Sequence, residues 1–204
     1  MAWDVERTKT LLLDAATAEF STFGLAGARV DRIAAAAGVN KERIYQYFGK
    51  KDELFDAVLA SELQRVMRDV PIQGSGPAAM GDYAARLFDH HRSDPVFARL
   101  MFWEGLERGN DIAARAERAE QSARKVDSVL AVLPGIDRTD AADLLLTAVT
   151  LCDGSRVLPQ IDGLLAGVGD ERVQQRRAFI VRTVTLLAET LSAEAARRPD
   201  SVGN

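Results

Sequence analysis

Cysteine is almost absent: Cys152 stands alone among 204 residues, so no intramolecular disulfide is available and a reducing cytoplasm is the expected compartment. Histidine is nearly as scarce, with only the adjacent His90 and His91. Neighbours on a helix point about 100° apart, so the pair chelates poorly, and without an HxxxH or ExxH spacing no metal or other cofactor is expected. Two histidines also leave little for acid–base catalysis. P-loop, GxSxG and GxGxxG signatures are missing, which argues against an enzyme. Long apolar runs are lacking too: the most apolar one, residues 144–152, falls far short of the ~20 residues that span a bilayer. The opening MAWDVERTK is acidic and has no signal-peptide core. The expectation is a soluble intracellular protein that makes no membrane contact. With 47% hydrophobic and 27% charged residues it has the means to bury a real core, as one large helical domain or a small head on a larger body.

Net positive charge is also lacking, since the chain carries −4 overall. The charge is unevenly placed. Residues 1–52 hold eight Lys/Arg against seven Asp/Glu, a balance of +1 that leaves −5 for the remainder, and residues 41–51 hold four basic groups against one acid. A small basic concentration of this kind fits a local phosphate contact and modest nonspecific affinity for nucleic acid, and it excludes a histone-like coat protein.

That concentration falls in RVDRIAAAAGVNKERIYQYFGKKDEL, residues 29–54. Val30, Ile33, Ala34 and Ala37 fall at i, i+3, i+4 and i+7, one apolar stripe on a helix of about two turns. Gly38 tolerates the positive φ of a helix C-terminus, and the Asn40 side chain has the oxygen to cap a second helix over 41–48. On that helix Ile44 and Phe48 point one way with Tyr47 beside them. Glu42 and Gln46 point the other way, flanked by Lys41, Arg43 and Tyr45. A helix too short to stand alone, pinned by apolar residues and offering long hydrogen-bonding side chains, suits a DNA major groove. The same pattern also reads as a surface helix in an ordinary bundle.

The string Ile33-Ala34-x-x-Ala37-Gly38-Val39-x-x-x-x-Ile44-Tyr45-x-Tyr47-Phe48-x-x-Lys51-Asp52-x-Leu54 resembles the DNA-binding domain of the tetracycline-repressor family of bacterial transcription regulators, over about residues 7–60. The chain departs from the family's usual pattern at Ala28-Arg29, where Ser or Thr is common, and at Glu42-Arg43, where small residues are. The resemblance implies an all-α fold of about nine helices. A three-helix head (1–50, with its helix-turn-helix motif at 29–48) would precede a ligand-binding and dimerisation body (51–204). It implies a repressor that binds a palindromic operator as a homodimer and is released by a small-molecule effector. The residues expected at DNA are Arg29, Asn40, Lys41, Glu42, Arg43, Tyr45, Gln46, Tyr47 and Lys51. Arg43 can reach a guanine edge or a phosphate, Gln46 can pair with adenine, and the tyrosine hydroxyls can bind phosphates.

Periodicity places the other helices at 6–23, 51–69, 78–91, from the Ser93-Asp94-Pro95 start signal to about 108, and at 112–133, 139–158 and 171–196. In the first, Leu12, Ala16, Phe20 and Phe23 repeat along one face. The stretch 117–125 is charged, so much of its helix is expected to face water, 159–169 is glycine-rich and left unassigned, and 197–204 is expected to fray. Tyr83, Phe88, Phe97, Met101, Phe102, Trp103 and Cys152 are candidates to line a ligand pocket, although aromatic and methionine residues at helical spacing are also plain core. The last two long helices carry more apolar surface than one core needs, which points to a four-helix interface between subunits through Leu145, Ala148, Val184, Leu187 and Leu191. A reading of another class stays open, an all-helical carrier or enzyme whose head is vestigial.

Overall fold

The structure is a computed structural model that describes residues 2–112 and 115–197, with side chains from Val5 onward. The expected frayed tail therefore lies, apart from Arg197, outside the described residues. Among the described residues there are ten helices and no strand: α1 (Ala2–Gly27), α2 (Val30–Ala37), α3 (Glu42–Phe48), α4 (Lys51–Asp69), α5 (Pro77–Ser93), α6 (Val96–Arg108), α7 (Arg115–Val132), α8 (Arg138–Val157), α9 (Pro159–Ala166) and α10 (Asp170–Arg197). The helix beyond the expected nine is α9, in the stretch left unassigned. Proline begins it, where a missing N–H costs nothing, and Gly167 follows it. No described helix is long and apolar enough to cross a membrane.

The helices form two compact units, and these do not divide at residue 50. The first takes in residues up to Val66 together with 94–119, and the second takes in 67–93 and the chain from 120 on. Most of α4 stays with the helix-turn-helix because Leu54, Phe55, Val58 and Leu59 are buried in the same core as Leu12, Ala16 and Phe20 of α1, Ile33 of α2 and Ile44 of α3. Phe20 and Phe55 meet edge to face with ring centres 5.0 Å apart. Burial of each such side chain is worth roughly 1.5–3 kcal/mol, and the ring pair adds about 0.5–1.5 kcal/mol. Phe23 departs from the expected apolar repeat. It is 45% exposed, and the Arg32 guanidinium lies 4.4 Å from its ring centre.

Helix α6 belongs to this first unit and packs along α1. Arg99 Nε donates to Ser21 O at 2.8 Å, Trp103 Nε1 to the same carbonyl at 3.4 Å, and Ala26 N to Glu107 Oε2 at 3.0 Å. Arg108 closes the far end on Asp56 (2.6 Å) and Asp52 (3.2 Å) of α4. The polar stretch of α7 does not simply face water, for Arg118, Gln121 and Lys125, at i, i+3 and i+7, are buried. In the first unit Arg118 Nη1 pairs with both carboxylate oxygens of Glu104, at 2.6 and 2.8 Å. In the second unit Lys125 Nζ donates to Val70 O at 2.5 Å and sits 4.8 Å from the Tyr83 ring centre.

The second unit is built on α5, which packs against α8 and α10, while α8 also packs against α10 and α9. Met80, Tyr83, Leu87 and His91 of α5 are buried, as are Ala141, Leu144, Ala148 and Cys152 of α8 and Ile180, Val184 and Ala188 of α10. His91 Nδ1 lies 2.6 Å from Asp153 Oδ1 and His90 Nε2 lies 3.8 Å from Asp69, so the two imidazoles serve different carboxylates.

Candidate nucleic-acid interface

Helix α2 ends as its sequence dictates. Gly38 is left-handed (φ 66°, ψ 29°), with Gly38 N donating to Ala35 O at 3.2 Å and Val39 N to Ala34 O at 3.1 Å. This is the paired closure of a Schellman motif, which uses up two carbonyls that the helix end would otherwise orphan. The N-terminus of α2 is capped from a distance. Arg29 offers no side-chain cap of its own, and its N–H donates instead to Glu19 Oε1 of α1 at 2.8 Å, the oxygen that also accepts from Arg32 Nε at 2.7 Å. Burial alone would raise the Glu19 carboxyl, but the hydrogen bonds from Arg32 and the Arg29 backbone outweigh it and hold Glu19 below its ordinary value. Asn40 Oδ1 faces Glu42 N at 3.4 Å, a long contact at the start of α3.

On α3, Ile44 is wholly buried, Tyr47 and Phe48 pack half-buried against the core, and Glu42, Arg43, Tyr45 and Gln46 are exposed, with Lys41 exposed just ahead of them. Tyr45 shows 51% of its surface. The outer side chains are mutually braced: Arg43 Nη1 donates to Gln46 Oε1 at 3.0 Å and to Tyr47 Oη at 3.2 Å, and Lys41 Nζ to Asp31 at 3.2 Å. The hydrogen bond to Asp31 raises the Lys41 ammonium above the usual lysine value, so it stays charged. Arg29 and Asn40 flank this face and are exposed.

Lys51 stands apart from the other expected DNA residues. Its ammonium donates to Ala28 O at 3.3 Å and Ala26 O at 3.4 Å, tying the start of α4 to the connector after α1. Lys50, which sequence reasoning passed over, is exposed, and its backbone N–H is held at 2.6 Å by Glu53, half of a capping box that orients the first turn of α4. Glu19 was missed as well. No local signal marked it, because the Arg29 N–H that it accepts lies ten residues on, at the start of another helix.

The expected pocket residues separate. Phe97, Met101, Phe102 and Trp103 lie on α6 in the first unit, where Phe102 is 37% exposed and Trp103 covers Gly24. Tyr83, Phe88 and Cys152 lie in the second unit, where Phe88 and Cys152 line a cavity of about 90 Å³. Burial, with Asp153 close by, pushes the Cys152 thiol up to about 12, so it is no nucleophile. Two of the expected interface residues need correction. Ala148 and Val184 show no surface at all because they fill the α5–α8–α10 core, and Leu145, Leu187 and Leu191 are half-buried. The exposed apolar residues of these helices are Leu146 (64%), Phe179 (47%) and Leu186 (55%), joined by Leu164, Leu165 and Val168 in and after α9, each above 80%.

The helix-turn-helix and the helical body each match a family model. Residues 12–58 match the bacterial regulatory proteins of the tetR family, and residues 79–185 match the tetracyclin repressor-like C-terminal domain. The chain is 43% identical over 176 residues to the HTH-type transcriptional repressor SCO4008 of Streptomyces coelicolor, covering 83% of this chain and 88% of that one. It is 44% identical over 105 residues to the HTH-type transcriptional regulator RutR of Escherichia coli, half of each chain. The crystal structure of putative transcriptional regulator SCO4942 from Streptomyces coelicolor superposes with a TM-score of 0.71 at 31% identity, covering 88% of this chain and 97% of that one. With both family models matched in order and a relative alike along most of its length, the chain belongs to the tetR family of bacterial regulatory proteins, which are regulators and not enzymes.

Proposed function

We propose that the chain is a ligand-responsive transcriptional repressor acting in the cytoplasm. A homodimer sets two copies of α3 into successive major grooves of a palindromic operator, and a small molecule bound in the helical body releases it. The observation that carries this reading is the outer face of α3: Glu42, Arg43, Tyr45 and Gln46 are exposed together on a seven-residue helix that Ile44 alone buries deeply. Two such helices about 34 Å apart read half-sites one DNA turn apart.

In that complex Arg43 and Gln46, already held side by side, present donors and an acceptor to base edges, and Tyr45 lies where it meets a base or a phosphate. Arg29, Asn40, Lys41, Lys50 and the Tyr47 hydroxyl serve the backbone. Glu42 accepts from a cytosine amino group or turns to Lys41. Lys51 holds the connector carbonyls and adds its charge to the phosphate field. The functional head then ends near residue 50, with α4 shared between DNA binding and the body. Exposed Phe179 and Leu186, seven residues apart on one face of α10, together with Leu146 of α8, support a dimer face of one further pair of helices from each subunit.

The test is fluorescence anisotropy with the DNA flanking the chain's own gene against a scrambled duplex. Saturable binding of one dimer, tighter than to the scrambled DNA by ~10³ or more, is expected. Equal affinity for the two would overturn the reading.

A further inference from the structure

We propose that the cavity between the ends of α5 and α8 and the second turn of α10 is a subsite for an anionic group, the carboxylate or phosphate end of the effector. This names the effector's chemical class and rests on the reading that the second unit binds one. The cavity measures about 90 Å³. That is on the order of three waters at ~30 Å³ each, room for a head group and far below the ~300 Å³ at which whole-ligand pockets begin.

Its charge is unbalanced. Arg92, Arg156 and Arg176 line it against one acid, Asp162, and Asp162 is already paired with Arg172. The surrounding carboxylates are taken as well: Asp89 by Arg177 at 2.7 Å, Asp153 by His91 at 2.6 Å, and Asp170 by Arg92 at 3.5 Å. Arg156 and Arg176 make no ion pair among the described residues. Each reaches only a backbone carbonyl, Arg92 O at 3.4 Å and Leu151 O at 3.2 Å respectively.

A plainer account covers part of this. Arg92 and Arg156 sit in the last turns of α5 and α8, where a cation offsets the helix dipole without any ligand. It does not cover Arg176. That residue lies near the start of α10, at the positive end of a helix dipole, and its Nε is buried without a hydrogen-bond partner among the described residues. A half-buried guanidinium there, with its Nε–H unspent, lacks an acceptor at that nitrogen, and the planar fork fits a carboxylate or phosphate through two parallel hydrogen bonds. Ser155 adds a hydroxyl at the wall, and Phe88, Val173 and the protonated Cys152 supply apolar sides for the first carbons behind the head group.

The experiment titrates the full chain with octanoate and octyl phosphate by calorimetry, with octanol and octylamine as neutral and cationic controls at matched ionic strength. An Arg43→Ala, Lys50→Ala variant removes anion binding at the head. The expected result is saturable binding of one or both anions, unchanged in the head variant and weakened about tenfold or more by Arg176→Gln, a loss of the order of one charge-assisted hydrogen bond. Arg156→Gln is read in the same way and serves if Arg176→Gln fails to fold. Octanol or octylamine binding as tightly as the anions, or Arg→Gln affinities within about twofold of the parent, overturns the proposal. Operator affinity without any probe, measured on the same samples, tests the DNA reading separately, so the two can fail independently.

Discussion

Gly24 is where α1 bends, and replacing it with alanine puts a defined strain on the first unit. Its backbone (φ 70°, ψ −178°) lies in a region that is essentially glycine-only, so any side chain there costs of order 1–3 kcal/mol. A Cβ would also stand 2.8 and 2.9 Å from Trp103 ring carbons and 2.5 Å from Glu107 Oε1. The indole is held between α1 and α6 by its hydrogen bond to Ser21 O, so it cannot swing away as a long flexible side chain would, and the overlap adds roughly 1–3 kcal/mol. Gly24→Ala is therefore expected to cost about 2–6 kcal/mol, a large share of the ~5–15 kcal/mol that holds a domain together. Gly38→Ala is the internal control: φ is again positive at 66°, but nothing lies within 4 Å of a Cβ, so only the left-handed penalty of about 1–2 kcal/mol applies. Urea unfolding followed by circular dichroism measures both, and a Trp103→Ala background should shrink the gap between them by about 1 kcal/mol or more. Gly24→Ala costing no more than Gly38→Ala would refute the packing argument.

Lys50→Ala is expected to lower specific and nonspecific DNA affinity together and to flatten the salt dependence by about one unit, whereas Lys51→Ala should also lower stability, because Ala26 and Ala28 lose a donor; an unchanged salt slope for Lys50→Ala removes it from the phosphate contacts. Alanine at Arg43 or Gln46 should cost ~1–3 kcal/mol at one or two operator positions in a saturation-mutated site, and a uniform loss recasts both as backbone contacts. Leu186→Arg is expected to give a folded monomer by sedimentation and Val184→Arg an unfolded chain, since one side chain is 55% exposed and the other wholly buried; a dimeric Leu186→Arg sinks the proposed face. Burial, aided by Arg86, lowers Lys125 to about 8, so the folded state binds fewer protons than the unfolded one between pH 8 and its ordinary 10.5, and stability should rise with pH across that window. The rise attributable to Lys125 is about 3 kcal/mol at most, and it should vanish in Lys125→Met.

The helices were legible where burial follows the chain's own period. Leu12, Ala16 and Phe20 of α1 repeat every fourth residue and all are buried, as are Ile33, Ala34 and Ala37 of α2. Helix α9 was not legible, because its Leu164 and Leu165 are more than 80% exposed and none of its residues is buried, so no core-facing stripe marks it. The buried polar stripe of α7 escaped for a different reason. Arg118 looks solvated until Glu104, fourteen residues earlier, is folded against it, and hydrophobicity cannot show a charge whose partner lies on another helix. Ala148 and Val184 were misplaced by the same limit: two apolar stripes on a helix do not say which one meets the subunit's own core.

The candidate DNA face was legible because it is local. Its turn, its cap and its outward residues all lie within residues 29–54, and only its supports come from farther away, in Glu19 and in the Ala26 and Ala28 carbonyls. That division has a consequence for how such a head can change. Helix α3 is too short to be stable by itself, so its position depends on Ile44, on the Gly38 turn and on the α1–α4 core beneath, while Glu42, Tyr45 and Gln46 add almost nothing to that support. Surface substitutions of this kind usually move stability by no more than about 0.5 kcal/mol, whereas one lost base contact costs ~1–3 kcal/mol of discrimination. On the proposed reading of α3, operator preference is therefore expected to be open to change at those three positions while the fold beneath stays as it is. Arg43 is the exception, because it is tied to both Gln46 and Tyr47, and a change there removes the bonds that hold its neighbours as well as any contact of its own.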